Sequence, residues 1–406
     1  MNKALKILQE RGFIQQCTDL QALSDRMDKG QIAFYTGIDP TGPSLHIGHM
    51  VPIFALKHLC REGHKGVVLV GGGTSRIGDP SGKTEMRKML SYDELDKNAA
   101  SIQKQIEKFL AEDIGNVRFV NNKDWLADLN YIDFLRDIGS HFSVNKMLSF
   151  EAYKKRMETG LSFLEFNYQL LQSYDFLMLN QNYNVELQIG GDDQWGNMVA
   201  GSDLIRRKGG SEVFALTFPL VTRADGQKMG KSEKGALFLD PALVSPYDFF
   251  QYWRNTADAD VEKFMLLFTF LPIEEIKSVC AGDINKAKER LAFEVTALIH
   301  GKEEAEKALE GARAAFSGGG NKEAMPTANL SLSKLDEGIG IIDLFAEAGL
   351  ASTKSDARRL VEQGGAFINE EKISDIKALI GKEKLDKDKE MILRAGKKRF
   401  MRIIFN

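Results

Sequence analysis

YTGIDPTGPSLHIGHM, Tyr35 to Met50, is the stretch that decides the fold. The apolar run IAFYTGI, from Ile32, ends in a turn built of Gly, Asp, Pro and Thr. A helix then begins near His46–Gly48 and continues through VPIFALKHLCREG, with Gly63 as its C-terminal stop. Pro52 is compatible with that helix because it falls in the first turn, where no N–H is required. The same pattern recurs along the first half of the chain. GVVLVGGG from Gly66, NVRFVNN from Asn116 and VELQIGG from Val185 are short apolar runs closed by Gly or Asn, with helix-like segments between them. Strands alternating with helices predict βαβ units and a parallel sheet, an α/β architecture. Ligands of such sheets collect beyond the carboxyl ends of the strands, so the residues just after each run are the ones to weigh.

After the first run stand His46 and His49, three apart and therefore on one face of the helix start. Unsatisfied N–H groups and partial positive charge at that end suit phosphate, and two imidazole donors would add to them. On spacing alone the pair is equally an ordinary strand–turn–helix with two incidental histidines. After the second run comes GGGTSRIGDPSGKT, Gly71 to Thr84. It imitates a phosphate-binding P-loop, but only three residues separate Gly78 from Gly82 where four are required, so a Walker-type ATPase is excluded. Its Asp79 is either a turn residue or a carboxylate for a substrate ammonium group. In the helical segment FLEFNYQLLQSYDFLML, Tyr168, Gln172 and Asp175 fall at i, i+4 and i+7. Such a polar stripe is a solvent face or the wall of a polar pocket. VELQIGGDDQWGNM ends a strand in Gly190–Gly191 and offers Asp192, Asp193 and Gln194, acids that either meet ribose hydroxyls or cap the next helix. GQKMGKSEKG, Gly226 to Gly235, is a glycine-bounded lysine loop: on composition it is a surface charge run, or else a mobile loop whose Lys228 and Lys231 clamp a leaving pyrophosphate.

Composition sets the outer limits. At 406 residues the chain is long enough for two to three domains of roughly 100–200 residues each. With 43% hydrophobic and 27% charged residues it builds a sizeable core, and a net charge of −3 excludes a wholesale basic coat for nucleic acid. No apolar run approaches the roughly 20 residues of a membrane helix, and the charged N-terminus MNKALKILQERGF lacks a signal-peptide core. Cys17, Cys60 and Cys280 form no Cys-x-x-Cys pair, which argues against a disulfide framework or structural zinc. A cytoplasmic, multidomain protein with no membrane association is expected. From Ser245 to Phe316 the chain reads helical, and SGGGNKEAMPTANLS from Ser317 reads as a linker. A small, modestly basic piece follows.

HIGH at 46–49 ahead of KMGKS at 228–232, on a strand/helix alternation, resembles the two signatures of class I aminoacyl-tRNA synthetases. YTGIDPTGPSLHIGH, IGDPSGK, YQLLQSYD and QIGGDDQWGN, in that order, resemble the bacterial tyrosine-specific branch. The tail ASTKSDARRLVEQGGAFINEEKI is similar to the small α-L (S-four-like) RNA-binding domain that ends those enzymes. The resemblance covers nearly the whole chain. It implies a Rossmann-like catalytic domain with an inserted dimer-interface region over residues 1–225. It further implies the lysine loop and a helical tRNA-binding domain over 226–316, a linker over 317–335 and the α-L domain over 336–406.

The resemblance also implies roles. Tyr35 and Asp175 would contact the phenolic hydroxyl of tyrosine, and Asp79, Tyr168 and Gln172 its ammonium group, with Gln194 nearby. Gly37, Asp39, Pro40, Thr41, Gly48, Gly191, Asp193 and Ser232 would lie along ATP, with Thr41 near its terminal phosphates. His46 and His49 would stabilise the phosphates. Lys228 and Lys231, joined by Lys83 and Arg87, would grip pyrophosphate. Arg358, Arg359, Lys397, Lys398 and Arg399 would meet tRNA phosphates. Magnesium would arrive with ATP rather than in a protein cage, no tightly bound metal is expected, and the family's homodimer would be built by the region of HFSVNKML from His141. Two positions depart from the pattern: Gly230 stands where most class I enzymes have serine, and Asp192 where this branch commonly has serine.

The expected activity is tyrosine–tRNA ligation. A tryptophan-specific ligase on the same fold would not need Tyr35 with Asp175 and lacks the C-terminal RNA module. A non-catalytic RNA-binding homologue would have lost the histidines or lysines. A dinucleotide oxidoreductase is excluded, because no strand runs into G-x-G-x-x-G.

Overall fold

The computed structural model describes residues 1–81, 90–222, 229, 231–232, 235–317, 325–336, 338–396 and 399–406. Its contacts divide the chain into two units, Met1–Val244 with Thr256–Ala287, and Ser245–Asn255 with Lys288–Asn406.

The first unit is built on a six-stranded sheet: β1 (Gln16–Cys17), β2 (Ala33–Ile38), β3 (Lys65–Val70), β4 (Val117–Asn121), β5 (Val185–Gly191) and β6 (Phe214–Phe218). The order across it is β1-β6-β5-β2-β3-β4, all parallel except β1, which runs antiparallel to β6. β2, β3, β4 and β5 are the four runs singled out in the sequence. β6 is wholly buried, and its Thr217 breaks the apolar run, while β1 is only two residues long. Neither has a pattern that marks it. The chain leaves β2 toward β3 on one side and β5 toward β6 on the other. The switch in direction falls between β2 and β5, where a crevice opens beyond the strand ends.

The helix Met50–Arg61 connects β2 to β3 and is buried nearly all round, with Ile53, Phe54, Ala55, Leu56 and Leu59 in the core. It ends as the sequence predicts, and Gly63 turns the chain with φ +90°. Two polar side chains are swallowed with it. Lys57 reaches the carbonyl oxygen of Phe109 at 2.7 Å, which satisfies its ammonium group. Burial, together with Arg11 and Arg61, lowers the pKa of His58 to about 3, so this imidazole is a neutral core residue.

A short hairpin, β7 (Lys231–Ser232) with β8 (Gly235–Ala236), carries the end of the lysine signature. Beyond it the region that reads helical is helical: Pro246–Arg254, Val261–Phe268, Ile273–Cys280, Ile284–His300 and Lys302–Ser317.

In the second unit the strands are β9 (Thr327–Leu330), β10 (Ile339–Gly340), β11 (Ala366–Ile368), β12 (Glu371–Ile373), β13 (Leu379–Ile380), β14 (Glu390–Ala395) and β15 (Arg399–Phe405). Five form a sheet in the order β12-β11-β14-β15-β9. Helices Ile341–Glu347 and Lys354–Glu362 supply Leu344, Phe345, Ala357 and Val361 to a core shared with Ile368, Leu393 and Ile403. The β11–β12 turn places Asn369 and Glu370 at φ 47° and 71°, the geometry of a two-residue hairpin. The sequence reading puts 317–335 in a linker, yet Thr327–Leu330 pair in parallel with β15 and Leu332–Leu335 form a helical turn. Alternating small and apolar residues fit an edge strand, and the Pro/Asn-rich composition hides it. No helix among the described residues is long and apolar enough to cross a membrane.

Candidate active site

At the switch point a cavity of about 260 Å³ opens beyond β2, β3, β4 and β5. Tyr35, Gly37, Asp39, Thr41, His46, His49, Asp79, Tyr168, Gln172, Asp175, Gly191 and Gln194 all line it. These come from five separate stretches of sequence, and the fold brings them together. Thr74, Asn122 and Gln188 line it as well. Pro40, Gly48 and Asp193 are not part of the lining. Lys83, Arg87, Lys228, Gly230, Lys397 and Lys398 lie outside the described residues, and for Lys231 and Ser232 only the β7 backbone is described.

His46 caps the first helical turn. Its Nδ1 accepts the N–H of Gly48 at 3.1 Å, and its own backbone N–H donates to Nδ1 of His49 at 3.1 Å. The two rings stack with centroids 3.9 Å apart. Because both Nδ1 atoms accept, each neutral ring carries its proton on Nε2, so both rings present an N–H at that atom. Gly48 is required here: a Cβ would stand 2.8 Å from the His46 ring. The preceding loop is held by the helix Tyr92–Leu110. Asn98 donates to the carbonyl of Pro40 at 3.1 Å, and Oε1 of Gln105 accepts from the backbone of Leu45 at 3.0 Å.

The histidine turn meets residues 237–239 through the backbone. His46 bridges antiparallel to Phe238, Ile47 N–H donates to Leu237 at 3.0 Å, and Leu239 N–H to Leu45 at 2.9 Å. The segment that follows β8 is therefore strapped to the histidine turn.

Deeper in, Asp175 is almost fully buried. It accepts from the indole N–H of Trp125 at 2.8 Å and from Nδ2 of Asn122 at 2.9 Å. Burial raises its pKa to about 7, against the pull of those two donors and with help from Asp39. The Tyr35 hydroxyl is buried, and no hydrogen-bond partner for it stands among the described residues. Burial and the nearby Asp175 push its pKa well above the usual value, so it is a neutral donor and acceptor. Asn122 continues the network to Thr74 at 3.0 Å, and Thr74 donates to Asp39 at 2.9 Å. Tyr168 donates to the other oxygen of Asp39 at 3.1 Å. A Cβ at Gly71 would fall 2.0 Å from Asp39, so only glycine fits beside that carboxylate. The stripe Tyr168, Gln172 and Asp175 is thus a pocket wall and not a solvent face.

Asp79 accepts from the backbone of Ser81 at 2.9 Å and from Gln194 at 2.7 Å, and Asn197 donates to Gln194 at 3.2 Å. Asn122, Trp125, Thr74, Asn98, Gln105 and Asn197 are the residues that sequence reasoning missed. Asn122, Thr74 and Asn197 stand in strand-end stretches that the sequence marks, while nothing in the sequence marks Trp125, Asn98 or Gln105. Arg358 and Arg359 are exposed on the helix Lys354–Glu362, where Arg359 pairs with Asp356 at 2.6 Å. Arg399 is turned back onto the carbonyl of Leu350 at 3.0 Å.

The model of "tRNA synthetases class I (W and Y)" matches residues 27–317, and that of the "Tyrosine--tRNA ligase SYY-like C-terminal domain" matches 320–403. A tyrosine–tRNA ligase of Treponema denticola is 97% identical over 406 residues, covering all of both chains. One of Treponema pallidum is 65% identical over 404 residues, covering 100% of this chain and 99% of the other. Among solved structures, a C-terminally truncated mitochondrial tyrosyl-tRNA synthetase of Aspergillus nidulans aligns with TM-score 0.67 and 31% identity, over 75% of this chain and 92% of that one. A tryptophanyl-tRNA synthetase of Encephalitozoon cuniculi aligns at TM-score 0.57 and 14% identity, over 75% and 87%, a likeness of fold. With the signature turn, the pocket and the C-terminal domain all matched, the chain belongs to the class I tRNA synthetases of the tryptophan and tyrosine type.

Proposed function

We propose that this chain is a tyrosine–tRNA ligase. It joins L-tyrosine to ATP as tyrosyl-adenylate, releasing pyrophosphate, and then passes tyrosine to the terminal ribose of tRNA-Tyr. One observation carries the choice of amino acid. The buried Tyr35 hydroxyl and the Asp175 carboxylate line one cavity, offering a donor and an acceptor to a phenol. Tryptophan has no hydroxyl to answer them. A site that bonds a substrate hydroxyl leaves its own groups unpaired when a substrate without one enters.

In the first step a carboxylate oxygen of tyrosine forms a bond to the α-phosphorus, and the bond from that phosphorus to the bridging oxygen of pyrophosphate breaks. No enzyme nucleophile is required. The work is orientation and stabilisation of negative charge. Asp79, Tyr168 and Gln172 hold the ammonium group. His46 and His49 donate from Nε2 to the phosphates, Thr41 lies near the terminal ones, and Lys228 and Lys231 receive pyrophosphate. Gly37, Asp39, Pro40, Gly48, Gly191, Asp193 and Ser232 would lie along the nucleotide. Magnesium enters with the triphosphate. In the second step a ribose hydroxyl attacks the carbonyl carbon and AMP leaves. Arg358 and Arg359 support the RNA from the C-terminal domain, as would Lys397 and Lys398.

The working form is a homodimer. A groove of about 510 Å³ lined by Leu126, Leu129, Tyr131, Phe134, Phe163 and Leu164 lies open, and Ile132 and Phe163 are each 69% exposed. An open apolar surface of this kind supports a contact with a second copy of the chain. Val144 of the His141 segment is also exposed. The deciding experiment is ATP–pyrophosphate exchange across all twenty amino acids. Exchange dependent on tyrosine supports the reading, and exchange dependent on tryptophan, or none, overturns it.

A further inference from the structure

Asp192 directly follows β5 and is not used by the reaction above. It stands where a serine is common in this branch. Its Oδ1 accepts from Nε2 of Gln16 at 2.7 Å and from Oγ1 of Thr217 at 2.8 Å. Gln16 and Thr217 are register partners in the antiparallel β1–β6 pair, and Thr217 is fully buried. Asp192 itself directly follows β5, whose Gly191 pairs with Phe218 of β6. None of the three side chains lines the cavity. The carboxylate therefore fastens the turn Asp192–Gln194 to two strands from outside the cavity.

The cavity side of the same turn is held separately. Gln194 donates to Asp79 at 2.7 Å and accepts from Asn197 at 3.2 Å. Two independent ties thus divide the turn. One holds its Gln194 end, which belongs to the amino-acid pocket, and the other its Gly191–Asp192 end, beside the ribose-binding residues. We infer that Asp192 is a positioning residue for the nucleotide: by binding Gln16 and Thr217 it fixes the backbone of Gly191 and Asp193 against ATP. This rests on the adenylate-forming role proposed above.

The chemistry explains why an acid stands there. One carboxylate oxygen accepts two neutral donors, and a charged acceptor makes stronger hydrogen bonds than a neutral one. A serine hydroxyl is one bond shorter and would not span to both Gln16 and Thr217. Asparagine keeps an Oδ1 acceptor at the same reach.

The test uses the full-length protein in tyrosine-dependent pyrophosphate exchange, with KM for ATP, KM for tyrosine and kcat read separately and thermal unfolding alongside. Asp192→Ala is expected to raise KM for ATP about tenfold, the loss of bonds to a charged group, while KM for tyrosine moves less than about twofold. Asp192→Asn restores KM for ATP to within about twofold of the wild type, since both donors keep an acceptor. Gln16→Leu reproduces part of the effect and adds nothing to Asp192→Ala, because the two act through one bond. An Asp192→Ala protein with unchanged KM for ATP, equal losses for both substrates, or no rescue by asparagine would each overturn the inference. A wild-type protein without tyrosine-dependent exchange defeats the underlying function instead, so the two failures are distinguishable.

Discussion

The indole N–H of Trp125 points at the carboxylate of Asp175 from 2.8 Å, and this bond, with that of Asn122, orients the acid proposed to meet the substrate hydroxyl. Both donors follow β4, Asn122 directly and Trp125 in the short helix Lys123–Leu126, while Asp175 sits on the helix Tyr168–Tyr183. Selectivity therefore depends on a contact between two elements about fifty residues apart. Removing the direct contacts should lower tyrosine affinity and leave phenylalanine nearly unaffected. Tyr35→Phe is expected to weaken tyrosine by about tenfold, the scale of one buried hydrogen bond, and Asp175→Ala by more. Equilibrium dialysis with both amino acids checks this, and parallel losses for the two would contradict it.

The elevated pKa of Asp175 makes a statement about stability. Folded, the group titrates at about 7, and unfolded near the usual 3.8. Between those values the folded state binds the extra proton, so its stability falls as pH rises from about 3.8 to about 7 and levels off above. The slope from one proton is at most about 1.4 kcal/mol per pH unit. Asp175→Asn lacks this component. Denaturant titrations of both proteins from pH 4 to 8 should show the wild type losing ground to the variant up to about pH 7. Two parallel curves would refute the protonation state assigned here.

The His49 ring accepts the backbone N–H of His46, the His46 ring accepts that of Gly48, and the two rings stack, so one turn orients both. His49→Ala should slow adenylate formation by about tenfold to a hundredfold and scarcely change tyrosine affinity, since its contribution grows with charge on the phosphates. Lys231→Ala should behave alike. Stopped-flow kinetics and dialysis, read together, settle it: equal loss in both quantities would place these residues in ground-state binding.

Because β9 belongs to the C-terminal sheet, the place of truncation matters. A chain ending after Ser317 removes the whole sheet and should retain tyrosine activation while losing transfer to tRNA. A chain ending after Ser331 keeps β9 without its partner β15 and should aggregate, since the strand is left with open edges. Full charging of tRNA by the shorter chain would remove the C-terminal domain from RNA binding.

Phe163 projects from a short helix braced by a capping box between Ser162 and Glu165, and Glu165 is in turn paired with buried Arg156 at 3.0 Å. Phe163→Arg should convert the proposed dimer to monomers at micromolar concentration while far-ultraviolet dichroism stays unchanged. Sedimentation velocity reads the mass directly, and an unaltered dimer would shift the interface elsewhere.

Most of the residues that touch the cavity, Thr74, Asn122 and Gln188 excepted, were legible in the sequence because they end or follow a strand or fall on a helical repeat. Asp39, Asp79 and Gln194 stand just past apolar runs, and Tyr168, Gln172 and Asp175 recur at helical spacing. Their supports were not legible. Trp125, Gln105 and Asn98 sit on elements whose pattern says only that they are amphipathic, and their partners are distant in sequence. For Asp192 the departure from serine could be seen but not its cause, since Gln16 and Thr217 meet only once β1 and β6 have paired. β9 was read as linker because four residues in a strand carry too little pattern to outweigh their Pro/Asn-rich neighbours.

The order of the C-terminal sheet sets a constraint on biosynthesis. Its last-made strand, β15, is an interior one, flanked by β14 and by β9, which the ribosome produced some seventy residues earlier. Nascent β9 must therefore wait, exposed, until β15 clears the exit tunnel. The catalytic sheet, whose six strands are all synthesised by Phe218, can close long before that. Translation would thus yield a competent adenylating module first and its RNA grip last, with the interval in between as the window in which chaperones would engage the unpaired strand.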